Sequence, residues 1–291
     1  MTDTIRVLAR AKVNLCLHVT GRRSDGYRLL DSLVVFPEIG DVLTIRAGPV
    51  LALDVSGPFA GALGQEPDNL VLRAARALRK DGTARIHLEK NLPVASGIGG
   101  GSADAAAALR ALSDLWGVVA DDEIALQLGA DVPVCLRSRT VRMRGIGEDI
   151  TPVAGLPEFW IVLVNNGRAV PTGAVFDAMT RDDHDALPHE VPAFGSVPDM
   201  AAWLRTQRND MEAVACGIEP GIRDLLRVLG AQPGGLLARM SGSGGTCFGV
   251  FEGQSAAERC VERISEMHPG WWCVAAPVRA GSGDPGHDEI G

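Results

Sequence analysis

A two-domain α+β protein is the fold class this sequence predicts, and three observations carry it. Short apolar, strand-like runs alternate with helical patterns through both halves of the chain. Pro152 and Pro157 interrupt the chain near its midpoint, after which the pattern restarts. With 291 residues, 46% hydrophobic and 22% charged, the chain can build two cores and is too apolar for disorder. The expected divisions are 1–155, 156–280 and a Gly- and Asp-rich flexible tail at 281–291.

From Lys12 to Val19 the residues alternate as in a strand, with Val13, Leu15, Leu17 and Val19 on one face. Lys12, Asn14, Cys16 and His18 occupy the other. A turn-rich stretch from Gly21 to Tyr27 follows. Short strands are expected at Leu33–Phe36, Val42–Ile45, Leu51–Val55 and Ala84–Leu88. Between the last two, Asn69–Arg79 has helical spacing, with Asp68 as the expected N-cap. Ala103–Trp116 reads as an Ala-rich helix closed by Gly117, and Ile124–Leu128 as a shorter one ending at Gly129.

The second half restarts with a strand at Phe159–Val164. Helices are expected near Gly173–Thr180, Asp199–Cys216 and Gly221–Leu229, then strands at Leu236–Met240 and Thr246–Phe251. A helix at Ala256–Met267 and a strand at Trp272–Ala276 complete it, with the helices laid over one sheet face.

A net charge of −8 argues against a general nucleic-acid binder, which needs a basic face to displace counterions. No basic leader precedes an apolar segment and no apolar run has membrane-spanning length, so a soluble, cytoplasmic protein without membrane partners is expected. The six cysteines form no C-x-x-C pair and are expected to be reduced and buried; the six histidines have no metal spacing.

The densest chemical signal is Asn91 to Ala106, where glycines at 97, 99, 100 and 101 run straight into a helix. A loop free of Cβ atoms can bring several N–H groups close to a ligand, and the helix start adds its positive dipole end. Together they suit a phosphate. No Lys follows the glycines, so a Walker loop is excluded; the sixth position from Gly97 is Ser102, so a dinucleotide fingerprint fails. The alternative is a Gly-rich turn capping a core helix with Ser102 as its N-cap.

A second cluster, Ser241 to Gly245, suits either a hairpin or a further phosphate-facing loop. Asp131 is the only charged residue in an apolar stretch from Leu128 to Leu136, where it could act as a base or cap a helix. Lys12 poses a similar choice between a cleft and an exposed face.

These blocks resemble the GHMP kinases, which phosphorylate small-molecule alcohols such as galactose, homoserine and mevalonate. The resemblance runs from Ala9 to about Phe251. It rests on Ala11 to Leu15, Gly26-Tyr27, Asp68-Asn69-Leu70, the Pro93 to Ala106 loop and Leu128 to Pro133. Pro171-Thr172, Asn209-Asp210-x-Glu212 and Met240 to Phe248 complete it. It is nearest the branch whose acceptor is 4-diphosphocytidyl-2-C-methyl-D-erythritol.

The resemblance implies a ribosomal protein S5 domain 2-like N-terminal domain and a ferredoxin-like C-terminal domain, with ATP and Mg2+ as cofactors. It implies Asp131 as base and Lys12 as its partner. Asn69, Leu70, Pro93, Gly97, Gly99, Gly100, Gly101 and Ser102 fall to ATP, Ser102 also to the metal. Asn14, Tyr27, Arg28, Thr172, Phe176, Gly242 and Gly244 fall to the substrate, with Tyr27 and Phe176 enclosing cytosine. Arg28 stands where many relatives carry His, and Ala103 where Ser is commoner. A homoserine- or mevalonate-type kinase, or a non-catalytic nucleotide-binding relative, remains the alternative, and either a monomer or a homodimer is compatible.

Overall fold

The computed structural model describes residues 4–63 and 69–279. The expected cap Asp68 and the expected tail 281–291 lie outside the described residues. The first sheet has the order β1-β4-β6-β5. It comprises β1 (Ile5–Arg10), β4 (Gly40–Arg46), β6 (Arg85–Glu89) and β5 (Ala52–Ser56); β5 and β6 alone run parallel. The second is an antiparallel sheet of β2 (Val13–Arg22), β3 (Arg28–Val35), β7 (Val141–Gly145) and β8 (Asp149–Pro152). The third, antiparallel, has the order β10 (Gly235–Met240), β11 (Thr246–Phe251), β9 (Phe159–Asn165), β12 (Trp272–Val278).

Two helices cover the first sheet, α1 (Leu70–Leu78) and α2 (Gly100–Trp116), with α3 (Asp122–Leu128) and α4 (Val132–Arg137) packed against α2. The cap of α1 is Asn69, whose side chain accepts from the Val71 N–H at 2.9 Å. Helix α2 starts three residues before the expected Ala103. Glycine is a poor helix former, which hides this first turn from propensity; it is closed by the Ala103 N–H donating to the Gly99 carbonyl at 2.8 Å. The alanines from 103 to 108 are all buried, and their small side chains let α2 lie close to the sheet.

In the second half, α5 (Thr172–Ala178), α7 (Glu212–Ile218), α8 (Gly221–Gly230) and α9 (Gln254–Met267) share a core with one face of the third sheet. The helices do not all lie on one face, as the sequence suggested. Helix α6 (Val197–Thr206) packs on the other face with β2 and β3, through Val197, Met200 and Leu204 beside Val13, Leu15 and Leu33. Strand β9 divides accordingly, with Ile161 and Leu163 in one core and Val162 and Val164 in the other. Burial on both faces explains its continuous apolar run.

The helix expected at Asp199–Cys216 is two. Segment 207–211 breaks it, because its backbone bonds to β2 instead: the Leu17 N–H donates to the Arg208 carbonyl and the Asp210 N–H to the Leu17 carbonyl. Strands β1, β7 and β8 are additions to the sequence reading. Arg142 and Arg144 hide β7, yet Arg142 is buried because it forms a bidentate pair with Asp31 at 2.7 and 2.8 Å. Strand β2 carries a bulge between Asn14 and Cys16, so the simple alternation breaks there. Both faces of its first half are buried.

The two glycine loops touch backbone to backbone. The Thr246 N–H donates to the Ser96 carbonyl at 3.0 Å and the Ser241 hydroxyl to the Gly97 carbonyl at 3.1 Å. A Cβ on Gly97 would lie 2.5 Å from the Gly244 carbonyl oxygen, and one on Gly242 2.7 Å from that of Gly97. Both glycines also have positive φ, +75° and +54°. Gly97→Ala is therefore expected to destabilise the fold by at least ~1–3 kcal/mol, through overpacking and backbone strain. A urea midpoint equal to that of the unmodified protein would refute the contact.

His18 is buried beside segment 207–211. Its Nε2 accepts from the Arg208 N–H at 3.1 Å, so Nδ1 carries the proton and donates to the Asp185 carbonyl at 2.9 Å. Burial lowers its pKa; the Asp185 carbonyl opposes that and the Arg208 guanidinium adds to it. A lowered folded pKa means the unfolded chain binds the proton first. Stability is thus complete above the ordinary value of 6.5 and falls as pH drops through the folded value. Urea midpoints between pH 7.5 and 5 should fall less in His18→Gln; equal slopes would count against the neutral, buried imidazole.

Candidate active site

Lys12 lies in the short link between β1 and β2. Its N–H donates to the Ile98 carbonyl at 2.9 Å, which seats it under the first glycine loop. Its stem runs along Gly99, where a Cβ would stand 3.1 Å from the Lys12 Cβ. The Lys12 Nζ reaches the Asp131 Oδ1 at 2.7 Å. Asp131 occupies the N-cap position of α4 but makes no side-chain capping bond. The choice left open by sequence falls to the ion pair. The Lys12 side chain is only 6% exposed whereas that of Asp131 is 38% exposed, so the carboxylate faces the opening and the ammonium lies behind it.

Beside Lys12, the Asn14 side chain donates to the Ser32 hydroxyl at 2.7 Å, and Ser32 in turn donates to the Cys16 carbonyl at 2.6 Å. The Asn14 N–H donates to the Ser241 hydroxyl at 3.2 Å. Its buried Oδ1 has no partner and would stand 3.5 Å from a Cβ on Gly242. An acceptor is therefore present beside the contact between the two loops. The bulged Leu15 carbonyl accepts from Arg239 at 2.9 Å; this buried guanidinium also caps the Leu204 and Gln207 carbonyls.

The second loop is held from outside by residues of the Asn209-Asp210-x-Glu212 block. Asn209 Nδ2 donates to the Met240 and Gly242 carbonyls, both at 2.9 Å, and Glu212 accepts from the Met240 N–H at 2.9 Å. Asp210 accepts from the Val19 N–H at 2.8 Å. Thr172 meets the loop directly, its hydroxyl 2.7 Å from that of Ser243.

The first loop divides by what surrounds each residue. Pro93 is buried and its carbonyl accepts from the Ser96 hydroxyl at 2.6 Å, so it shapes the turn. Gly97 meets the second loop and Gly99 meets Lys12, whereas a Cβ on Gly101 would meet nothing within 4 Å. Ser102 lies in the first turn of α2. Asn69 and Leu70 sit at the start of α1, and the Asn69 side-chain oxygen is engaged as its cap.

Tyr27 is exposed, in the turn between β2 and β3. The next residue, Arg28, places its guanidinium 5.5 Å from the ring centre of Phe176 on α5 and donates to the Met179 carbonyl at 3.3 Å. Arg28 and Phe176 are thus neighbours, with Tyr27 next to Arg28 in the chain.

A buried cluster went unnoticed in the sequence. Lys90 bonds to Asp41 and, at 2.8 Å, to Asp104 in α2; all three are at most 3% exposed. Burial opposes the Lys90 charge, but the two carboxylates outweigh it and raise its pKa. Burial also pushes the Asp104 carboxyl well above its usual range. Lys90 and Asp104 flank the glycine loop, which is the one signal that could have revealed them.

Among the described residues, no group of three or more His, Cys, Asp or Glu could hold a metal, and no helix is long and apolar enough to cross a membrane. Five of the cysteines are buried and Cys273 is half-buried, all six as free thiols.

The chain matches the family described as "GHMP kinases N terminal domain" over residues 69–139 and that described as "GHMP kinases C terminal" over 191–270. It is 56% identical over 273 residues to the 4-diphosphocytidyl-2-C-methyl-D-erythritol kinase of Cereibacter sphaeroides (strain ATCC 17029 / ATH 2.4.9), covering 93% of this chain and 97% of that one. The enzyme of the same description from Paracoccus denitrificans (strain Pd 1222) is 55% identical over 271 residues, covering 93% and 96%.

A crystal structure of 4-(cytidine 5'-diphospho)-2C-methyl-D-erythritol kinase superposes with a TM-score of 0.78 at 34% identity, covering 95% of this chain and all of that one. The L. major mevalonate kinase, at 16% identity and TM-score 0.68 over 97% of this chain and 98% of its own, shares the fold. With both family regions matched and relatives above half identity along nearly its whole length, the chain belongs to the GHMP kinases.

Proposed function

We propose that this protein transfers the γ-phosphoryl group of ATP to the C2 hydroxyl of 4-diphosphocytidyl-2-C-methyl-D-erythritol, giving the 2-phosphate and ADP. The observation that carries it is the Lys12–Asp131 pair, 2.7 Å between Nζ and Oδ1, at the foot of the helix that follows the glycine loop. High identity to relatives described as this kinase supports the choice of acceptor.

In this reading Asp131 takes the hydroxyl proton on the carboxylate oxygen that does not bond Lys12. Lys12 stabilises the developing alkoxide, and its burial strengthens that interaction over one in water. The N–H groups of Gly99 to Ser102 and the positive end of α2 hold the ATP phosphates. Gly101 leaves the closest approach, since nothing in the protein fills the space its missing Cβ would take. Asn69 and Leu70 border the adenine. Asn14, whose buried Oδ1 is unpartnered beside Gly242, falls to the acceptor together with Thr172, Gly242 and Gly244.

Tyr27 and Phe176 enclose the cytosine. Arg28 lies on the Phe176 ring in the free protein, so it shifts or stacks at the edge when the base enters. For Mg2+, the available donors are the Ser102 hydroxyl and the Asp131 carboxylate. Without a three-ligand cage among the described residues, such a set fits an ion that arrives on the phosphates and keeps part of its water. Held there, Mg2+ would supply charge neutralisation for the transferring group. The expected location is the cytoplasm, and the domain limits 1–155 and 156–280 remain part of the reading.

The test is ADP release with MgATP and, in parallel, this cytidine compound, homoserine or mevalonate. Turnover is expected only with the cytidine compound; turnover only with another alcohol would overturn the assignment. Asp131→Asn should lower kcat by roughly 10²–10⁴-fold, the usual share of a positioned base; unchanged turnover would remove Asp131 from that role. Tyr27→Ala should raise KM for the cytidine compound by about 2- to 10-fold, the equivalent of ~0.5–1.5 kcal/mol of stacking, with KM for ATP unmoved. Gly101→Ala should raise KM for ATP without lowering the urea midpoint, since no protein atom opposes the added methyl.

A further inference from the structure

The first glycine loop is anchored at both ends by one buried group of charges. Lys90 immediately precedes the loop, at the end of β6, and Asp104 lies in the second turn of α2, just after it. The Lys90 Nζ bonds to Asp104 at 2.8 Å and to Asp41 on β4, which closes the chain across residues 91–103. The other oxygen of Asp41 accepts from the first two N–H groups of the loop, those of Asn91 at 2.6 Å and Leu92 at 2.8 Å. Each end of the loop is therefore tied to the same strand through charged hydrogen bonds out of water, which are stronger and more directional than neutral ones.

Two further observations bear on the loop. A Cβ on Gly100 would stand 3.1 Å from the Lys90 Nζ and 3.7 Å from the Asp41 Oδ2. The glycine here makes room for the ammonium below it, whatever ligand lies above. Within the loop, Ala95 has φ +51°, a conformation disfavoured for a residue with a Cβ. The loop's shape is not the one its own backbone prefers, so it must be held from outside.

We propose that Lys90, Asp41 and Asp104 are positioning residues for the nucleotide, a buried staple that holds the phosphate loop in its ATP-accepting shape before ATP arrives. This rests on the reading that the loop receives the ATP phosphates. A preorganised loop loses less freedom on binding, so releasing the staple costs nucleotide affinity without touching the nucleotide. The acceptor contacts Lys12, Asp131 and Asn14 instead, and its affinity should be spared.

The experiment measures, on the full chain, calorimetric Kd for a non-hydrolysable ATP analogue with Mg2+, together with KM for both substrates. Lys90→Met, Asp104→Asn and Asp41→Asn are compared with the unmodified protein. Lys90→Met and Asp41→Asn are each expected to weaken analogue binding by about tenfold, with the acceptor KM within about twofold. Their double variant should be no weaker than the worse single, because both disrupt one staple. Hydrogen exchange at 97–102 in the absence of nucleotide should quicken in the variants.

Where Lys90→Met does not fold, Asp104→Asn keeps the shape and one acceptor for Lys90; a measurable rise in analogue Kd is still expected. Unchanged Kd and exchange in folded variants would overturn the proposal, as would equal rises in both KM values. If the unmodified protein itself fails to bind the analogue, the phosphate-loop reading is what fails.

Discussion

The contact between the two glycine loops is the constraint on which the rest of the structure depends. Gly97 and Gly242 meet carbonyl to Cα, with no room for a side chain on either. Bonds from Ser241 and Thr246 then fasten the loop of the third sheet to the loop that starts α2. Because these loops come from opposite halves of the sequence, their meeting joins the halves at one place. Lys12 and Asn14, on the chain between β1 and β2, lie against the same contact, bonded to Ile98 and Ser241.

Around that contact the protein separates its buried charges by task. The Lys12–Asp131 pair is open on the carboxylate side, the exposure that the proposed role of Asp131 as base requires. Lys90, Asp41 and Asp104 are closed off from solvent and bond to one another and to the loop; the buried Asp104 Oδ1 has no partner. A third buried cation, Arg239, bonds only to carbonyls and holds the bulge that reshapes β2 beside Asn14. Buried cations of this kind contribute definition to a site, since an unsatisfied alternative arrangement is costly.

The sequence patterns found strands and helices where apolar periodicity was strong, as in β9, β11 and α9. They failed where a long-range partner decides the outcome. Arg142 disguised β7 because its burial depends on Asp31, more than a hundred positions away. The stretch from Asp199 to Cys216 has continuous helical character, but β2 competes for the backbone of 207–211 and wins. Lys90 and Asp104 gave no signal of their own in the sequence, and only the fold brings them together.

By itself the sequence determined the local chemistry: glycines that cannot carry a side chain, an Ala-rich helix that can pack closely, and the motifs that mark a GHMP kinase. It also carried Lys12 and Asp131 as candidates, each with two possible fates. Only the tertiary structure decided whether the carboxylate caps its own helix or meets a lysine 119 positions away, because that depends on how the first half folds α4 against the link between β1 and β2. The same holds for the glycines. Glycine's permissiveness is local, but Gly97 against a loop, Gly99 against Lys12 and Gly100 against Lys90 are demands set by neighbours that only folding supplies.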